Sequence, residues 1–181
     1  MDTQESIQSL LDNHGDMVWR IVLAHEHNPA VAEELYQEIC FALWQAGDKI
    51  RSADNPGAYI ARIATNQAVS HIRREVAQPM TVPSPLDAAM SDATSLEESL
   101  SRYEQQRRLL EAVRQLPLNW RLPITLTLEG FKPQEIAYVM GISANTVSLR
   151  LTRARRTLSQ LLSNDAARRP QNTRSQADES C

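Results

Sequence analysis

The stretch that decides the fold of the C-terminal part of the chain is GISANTVSLRLTRARRTL, residues 141–158. Apolar residues recur in it at steps of four, three and four, which is the period of one helical face; they are Val147, Leu151, Ala154 and Leu158. Four arginines fall within residues 150–156. The pattern predicts an amphipathic helix with one face in a domain core and a basic face turned outward.

The residues before this helix complete a helix-turn-helix pattern. A short helix is predicted over 133–140, Gly141 suits a turn that needs positive φ, and Ser143 suits the N-cap of the second helix. The second helix of such a unit enters the major groove of DNA. The residues expected to contact DNA are Asn145, Thr146, Ser148, Leu149, Thr152, Arg153, Arg155 and Arg156. A solvated basic face on an ordinary bundle helix is the alternative.

The rest of the chain also has helical periodicity, so the predicted fold class is all-α. Helices are predicted near 4–25, 30–46 and 57–75, with a loop over 46–59. Another helix starts near residue 101, and one over 121–130 has Pro123 in its first turn and Gly130 as its stop. The predicted organisation is two small helical domains, 1–76 and 101–163, a flexible linker over 77–100 and a disordered tail over 164–181.

Charge is divided unequally along the 181 residues. Residues 1–100 hold six Lys/Arg against fifteen Asp/Glu, whereas residues 101–181 hold thirteen against seven, for a net charge of −3. A basic half predicts a nucleic-acid partner, and an acidic half predicts a basic protein surface as its partner. No run of eighteen apolar residues exists and the N-terminus is polar, so a cytoplasmic protein without a membrane span is expected.

Several patterns in the sequence resemble parts of catalytic or metal sites. The HEH sequence at 25–27 is interpreted as a solvated turn, because two histidines two residues apart do not share a helical face. His14 and His71 are isolated in the sequence, and Cys40 is expected to be a small core residue. With no glycine-rich phosphate loop and no nucleophile elbow, the sequence predicts no enzyme, no catalytic residue, no metal and no cofactor.

Two segments in order resemble one known family. LPLNWRLPITLTLEGFKPQEIAYVMGISANTVSLRLTRARRTL resembles the C-terminal DNA-reading domain of bacterial sigma factors of the extracytoplasmic-function (ECF) group. AEELYQEICFALWQAGDKIRSADNPGAYIARIATNQAVSHIRR resembles their N-terminal promoter-melting domain. The resemblance implies that the first domain binds the clamp of core RNA polymerase and reads the −10 element, while the second reads the −35 element.

The resemblance also implies site residues. Glu34, Gln37 and Glu38 fall on the polymerase-binding helix. The residues implied at the −10 element are Asn66 near a captured base, Arg62, Arg73 and Arg74 at the backbone, Arg51 just ahead of them, and Tyr59 where the family usually has tryptophan. The chain departs from the family pattern at Ile50, Ala61 and Ser70-His71, and at Ser148-Leu149 in the second domain. These departures bear on which bases are read.

The function predicted from these features is a sigma factor that binds core RNA polymerase, recognises −35 and −10 promoter elements and helps to melt the −10 region. The resemblance admits an anti-sigma factor as a further partner, as in many members of the group. One alternative is a stand-alone helix-turn-helix transcriptional regulator whose N-terminal half senses a ligand or dimerises. Another is a metal-dependent nuclease that uses the carboxylates at positions 33, 34 and 38.

Overall fold

The computed structural model describes residues 3–77 and 96–168, and within those ranges every regular element is a helix. The helices are α1 Thr3–His25, α2 Pro29–Gln45, α3 Gly47–Arg51, α4 Pro56–Ala77, α5 Leu96–Arg114, α6 Leu118–Leu128, α7 Pro133–Met140 and α8 Ala144–Arg168. The all-α prediction is confirmed. No helix in the described part of the chain is both long and apolar enough to cross a membrane.

Helices α1 to α4 form the first bundle, in which α1, α2 and α4 pack against one another and α3 lies beside all three. Its side chains with almost no exposed surface are Val18, Ile21, Val22, Leu35, Ile39, Ile50 and Ile60. The start of α2 follows the prediction, because the Asn28 side chain accepts a hydrogen bond from the amide of Ala30 and Pro29 occupies the first turn.

Helices α5 to α8 form the second bundle, with α8 packed against α5, α6 and α7. Its most buried side chains are Val113, Leu116, Leu126, Ile136 and Val147. The prediction for Pro123 is wrong, since α6 begins at Leu118 and the proline lies inside the helix. The helix starts earlier because Pro117, with φ −53°, already has the fixed backbone angle of a helix start. Gly130, with φ 86°, follows the end of α6 as predicted.

Three predicted boundaries differ from the observed ones. The segment 46–59 is not all loop, because α3 forms within it around the fully buried Ile50. One buried side chain is enough to hold a single turn, but it leaves no periodic signal. Helix α5 includes 96–100 of the predicted linker, and α8 includes 164–168 of the predicted tail. The remaining linker and tail residues, 78–95 and 169–181, lie outside the described residues, so their flexibility stays a prediction.

The two bundles contact each other through α1 and α4, a feature that the sequence did not predict. Arg20 of α1 donates from Nε and Nη2 to the two carboxylate oxygens of Glu129, each at 2.8 Å. This forked bond raises the pKa of Arg20. The Glu129 side chain is only 8% exposed, so the ion pair is shielded from water on one side.

A second contact between the bundles closes the C-terminal end of α1. Arg114 of α5 donates from Nε to the carbonyl of Leu23 at 2.7 Å and from Nη2 to the carbonyl of Glu26 at 2.9 Å. The last carbonyls of a helix have no partner within the helix, and a cation there also meets the negative end of the helix dipole. Burial lowers the pKa of Arg114.

Candidate nucleic-acid interface

The turn before α8 has the predicted helix-turn-helix geometry. Gly141 has φ 65°, a left-handed conformation in which a side chain would be strained, and it ends α7. The Ser143 hydroxyl accepts a hydrogen bond from the amide of Thr146 at 3.2 Å, which makes it the N-cap of α8. The predictions for Gly141 and Ser143 are confirmed, and together they set the angle at which α8 leaves α7.

Helix α8 is divided into a buried face and an exposed face. Val147, Leu151 and Ala154 are buried, whereas Leu158 is half-buried. The exposed face carries a continuous line of residues at helical spacing, here called the α8 stripe: Asn145, Ser148, Leu149, Thr152, Arg153 and Arg156. The exposed arginines of α8, which are Arg153, Arg155 and Arg156, form no ion pair with a described residue. Thr146, also predicted to contact DNA, is half-buried, with its hydroxyl 2.8 Å from that of Ser143.

Helix α4 carries a second exposed line of residues, here called the α4 stripe: Arg62, Asn66, Ser70 and Arg73. The structure therefore brings three of the six residues predicted for the −10 element onto one face, namely Arg62, Asn66 and Arg73. That face is partly engaged, because the Arg62 guanidinium lies over the Tyr138 ring of α7, 5.2 Å from the centroid. At the start of α4, Asn55 Nδ2 donates to Glu135 of α7 at 2.8 Å.

Three other residues predicted at the −10 element lie off the α4 stripe, namely Tyr59, Arg51 and Arg74. Tyr59 is half-buried and packs against the core of the first bundle. Arg51, at the end of α3, forms an ion pair with Asp48. Tyr59 and Arg51 both lie on the first bundle at the end from which α4 begins.

Helix α2 exposes the three residues predicted to bind polymerase, and Glu34, Gln37 and Glu38 share one face. Arg74 of α4 donates to Glu38 at 2.9 Å, so the structure joins a residue predicted for the −10 element to one predicted for polymerase. Both side chains are about half exposed, and an ion pair of this kind contributes little to stability.

The same face of α2 continues into an exposed aromatic pair that the sequence interpretation missed. Phe41 is 59% exposed and Trp44 is 49% exposed, and their rings stack with centroids 5.8 Å apart. The available signal was position, since residue 41 follows Glu34, Gln37 and Glu38 at helical spacing. Exposed aromatic side chains are enriched at protein-binding surfaces.

The HEH segment is not a solvated turn, and this prediction is wrong. His25 is 4% exposed, with Nδ1 2.7 Å from the carbonyl of Ile21, and burial lowers its pKa to about 4. Glu26 is 6% exposed and accepts hydrogen bonds from the amides of His27 and Asn28, each at 2.6 Å. His25 and Glu26 are buried because their side chains bond to the backbone where the chain passes from α1 to α2, whereas His27 is exposed.

His71 is not isolated either. Its Nε2 lies 2.9 Å from Glu26 Oε2 and 3.5 Å from Glu75 Oε1. Ligand-type atoms of Glu26, His71 and Glu75 all lie within 4.8 Å of one another, the residue types that can bind zinc. The other oxygen of Glu26 is already held by two backbone amides, so these contacts are those of a structural hydrogen bond that ties α4 to the end of α1.

Cys40 lies at the edge of the core rather than within it. It is half-buried, and burial raises the pKa of its thiol. A thiol with a raised pKa is mostly protonated near neutral pH and is a weak nucleophile. The residue therefore suits a packing role at the boundary of α2.

Family models match both bundles. Residues 10–77 match the model described as Sigma-70 region 2, and residues 106–158 match the model described as Sigma-70, region 4. The chain is 32% identical over 160 residues to the ECF RNA polymerase sigma factor BldN of Streptomyces coelicolor, which covers 87% of this chain and 60% of BldN. It is 26% identical over 154 residues to the ECF RNA polymerase sigma factor SigL of Mycobacterium tuberculosis, covering 84% of this chain and 86% of SigL.

Solved structures share the fold. The sigma factor RpoE of Bartonella quintana, solved in complex with the anti-sigma factor NepR, matches with a TM-score of 0.68 at 22% identity. That match covers 87% of this chain and 97% of RpoE. CnrH, solved in complex with the cytosolic domain of CnrY, matches with a TM-score of 0.63 at 23% identity and covers 90% of each chain. At these identities the likeness concerns the fold.

Proposed function

Since the chain belongs to the ECF group of sigma-70 family sigma factors, we propose that it binds core RNA polymerase and directs it to a subset of promoters. The observation that supports this proposal is the α8 stripe, which follows a complete helix-turn-helix turn and whose side chains bond to no described residue outside α8. A basic helix face of this kind fits the major groove, where arginine can bond guanine and also neutralise phosphates.

The α8 residues predicted from the sequence are proposed to read the −35 element. Those at its N-terminal end, Asn145, Ser148 and Leu149, stand where a recognition helix meets base edges. Arg153, Arg155 and Arg156 supply positive charge along the exposed face. Contacts to phosphates fix the register of the helix but carry little sequence information, so the polar and apolar side chains at its start decide the preference.

The α4 stripe, together with Arg51, Tyr59 and Arg74, is proposed to bind the −10 element. Asn66 is exposed at the centre of that stripe, where its amide is open to the edge of a base taken from the stack. Arg62 contacts Tyr138 and Arg74 contacts Glu38 in the closed arrangement. The first bundle must therefore exchange these contacts for nucleic acid when the −10 element binds.

The exposed face of α2 is proposed to bind core polymerase. Carboxylates at 34 and 38 complement a basic surface, and Phe41 with Trp44 adds apolar area that a partner can bury. Charge complementarity of this kind speeds association and selects the partner. On this proposal the acidic face of α2 binds protein, while the α4 stripe and the basic second half of the chain bind DNA.

The remaining parts of the proposed function are a regulatory partner and a location in the cell. An anti-sigma factor is proposed as a further partner, which the solved relatives RpoE and CnrH support by having been captured with NepR and CnrY. The protein is proposed to act in the cytoplasm, where polymerase and promoters are, and to have no catalytic chemistry of its own. Its contribution is to lend recognition and melting to the polymerase.

The test is transcription in vitro from genomic fragments, with core RNA polymerase in the presence and absence of the protein. A sigma factor produces new, discrete start sites only when both are present, and mapping those starts gives the promoter. A stand-alone regulator instead shifts a specific DNA fragment without core enzyme, and a nuclease degrades DNA when Mg²⁺ or Mn²⁺ is added. Either of the last two results, with no new start sites, would contradict the proposal.

The polymerase surface has its own test. Replacing both Gln37 and Glu38 with alanine is expected to weaken binding to core enzyme, measured by competition against a labelled wild-type protein. Lys49→Ala provides a matched control, because that exposed residue lies outside the α2 face. Unchanged competition by the double variant would move the polymerase contact elsewhere.

A further inference from the structure

The centre of the α8 stripe is apolar, although its ends are polar. Leu149 is 62% exposed and lies between Asn145, four residues before it, and Arg153, four residues after it. These three side chains follow one another along the same exposed face. A single exposed leucine is ordinary on a protein surface, so the groups around it decide whether a binding role can be inferred.

The two hydroxyl groups beside Leu149 are turned back into the helix. Ser148 Oγ donates to the carbonyl of Ala144 at 3.0 Å, and Thr152 Oγ1 donates to the carbonyl of Ser148 at 2.9 Å. A hydroxyl has one hydrogen to donate, and each of these is already used within the helix. The outward surface around Leu149 therefore offers a leucine side chain, the methyl group of Thr152 and oxygen lone pairs, but no hydroxyl donor.

Among the base edges of the major groove, one group matches such a surface. Guanine presents the acceptors N7 and O6, which need a donor, whereas thymine presents an apolar methyl group at C5 beside the acceptor O4. Adenine and cytosine present no methyl group in the major groove, so the apolar side chain of Leu149 has no apolar group to bury against them. The best complement to the centre of the α8 stripe is therefore a thymine methyl.

We propose that Leu149 is a specificity-determining residue that contacts the C5-methyl group of one thymine in the −35 element. The proposal rests on the proposed function, because it requires that α8 lies in the major groove of that element. It adds which chemical group is read at this point of the helix and by which side chain. Asn145 and Arg153 then bracket the thymine with polar contacts on either side.

The experiment removes the methyl group alone. Promoter duplexes mapped by transcription in vitro are synthesised with each −35 thymine replaced in turn by deoxyuridine, and binding by the holoenzyme is measured. One replacement is expected to weaken binding by the wild-type protein roughly fourfold, the effect of losing burial of one methyl-sized group. Holoenzyme made with Leu149→Ala is expected to bind that duplex and its thymine parent equally well.

Two further variants control the result. Leu149→Met keeps an apolar side chain at this position and is expected to retain the response to deoxyuridine. Leu128→Ala removes a leucine of similar exposure, 55%, at the end of α6, and is expected to retain it too. Because Leu149 and Leu128 are both exposed, neither alanine variant is expected to alter the fold, which circular dichroism would check.

The outcomes separate this proposal from the proposed function. A −35 element without thymine, or a response to deoxyuridine that is the same in wild-type and Leu149→Ala holoenzymes, overturns the role of Leu149. Scrambling the whole −35 element without loss of binding instead overturns the proposed function of α8. A response confined to one thymine and absent in Leu149→Ala supports the contact and identifies the base.

Discussion

Helices α4 and α8 both carry an exposed line of residues assigned to promoter DNA, yet their surroundings differ. The α4 stripe meets other parts of the chain, since Arg62 lies over Tyr138 and the helix start is bonded through Asn55 to Glu135. On α8, the hydrogen bonds of Ser148 and Thr152 stay within the helix, and the arginines have no described partner. The α8 stripe is therefore open to a partner, while the α4 stripe is in contact with the second bundle.

The difference indicates an order of events on promoter DNA. A surface without protein partners loses no internal contact when it binds, whereas a partnered surface must first give up the contacts it has. The proposed −35 contact of α8 breaks no described contact between the two bundles. The proposed −10 contact of α4 would be favoured by conditions that separate α4 from α7. The predictions below test that contrast at single residues.

The largest effect is expected from acid, which destabilises the end of α1 where the two bundles meet. His25 ends α1 beside the carbonyls that Arg114 holds, and burial lowers its pKa from 6.5 to about 4. Between pH 6.5 and about 4, the His25 side chain binds a proton in the unfolded chain but not in the folded chain. The stability that is present above pH 6.5 is therefore lost as the pH falls towards 4. The full loss is about 3 kcal/mol in the free energy of unfolding.

Urea unfolding of the wild type at a series of pH values between about 7.5 and 4 would measure this loss. His25→Gln is expected to flatten the dependence on pH, while His14→Gln, a change at another histidine of α1, is expected to keep it. Parallel pH curves for the wild type and the His25 variant would show that the buried imidazole is not the cause.

On the α8 stripe, Arg153→Ala is expected to reduce promoter-specific transcription about tenfold, the effect of losing one arginine contact to DNA. Binding to core polymerase is expected to stay unchanged, because Arg153 lies on α8 and far along the chain from the α2 face. Start-site-specific transcription in vitro would be measured beside core competition, with Arg102→Ala as an exposed arginine on α5 for comparison. Normal transcription by the Arg153 variant would remove this residue from the groove.

The ion pair between the bundles is expected to contribute less. Glu129→Gln keeps the size of the side chain but removes its charge, so one arm of the fork from Arg20 loses its acceptor. Because Arg20 is half exposed, the loss is expected to be about 1 kcal/mol in the free energy of unfolding. Thermal unfolding would detect it, and small-angle scattering would show a larger radius of gyration. If both were unchanged, the bundles would be held together by other contacts.

The smallest effect is expected where α7 covers the α4 stripe. Tyr138→Ala removes the ring under Arg62, a cation–π contact of about 0.5–1 kcal/mol at an exposed site. Single-stranded DNA with the −10 sequence is then expected to bind the free protein about two- to fivefold more tightly, because Arg62 is released. Fluorescence polarisation would measure this, with Leu128→Ala as the control. Equal affinities would mean that Tyr138 does not compete with DNA.

The helices and the turn before α8 could be predicted because their signals are local. Apolar periodicity, a glycine where φ is 65° and a serine at the N-cap all act within one or two turns of chain. The short α3 and the interior position of Pro123 were missed for the opposite reason. A single buried isoleucine and a proline-started helix leave no repeated pattern, and tertiary packing decides them.

The same difference between local signals and tertiary contacts applies to the candidate sites. The family resemblance identified Glu34, Gln37 and Glu38, and helical spacing predicted the exposed face of α8. Neither could show that Glu26 meets His71 across forty-five positions, or that Arg62 meets a tyrosine of the other bundle. Contacts between distant parts of the chain depend on how helices cross, which periodicity within one helix does not encode.

Glu135 serves the starts of two helices at once. One of its oxygens accepts the amide of Lys132 at the start of α7, and the other accepts from Asn55, whose own oxygen caps α4 by accepting the amide of Ala58. A shorter aspartate would lack the reach for both tasks, and a glutamine would replace one acceptor with a donor. Position 135 is therefore expected to tolerate little evolutionary drift although it is not in the core. A substitution there would be inherited together with a compensating change at position 55.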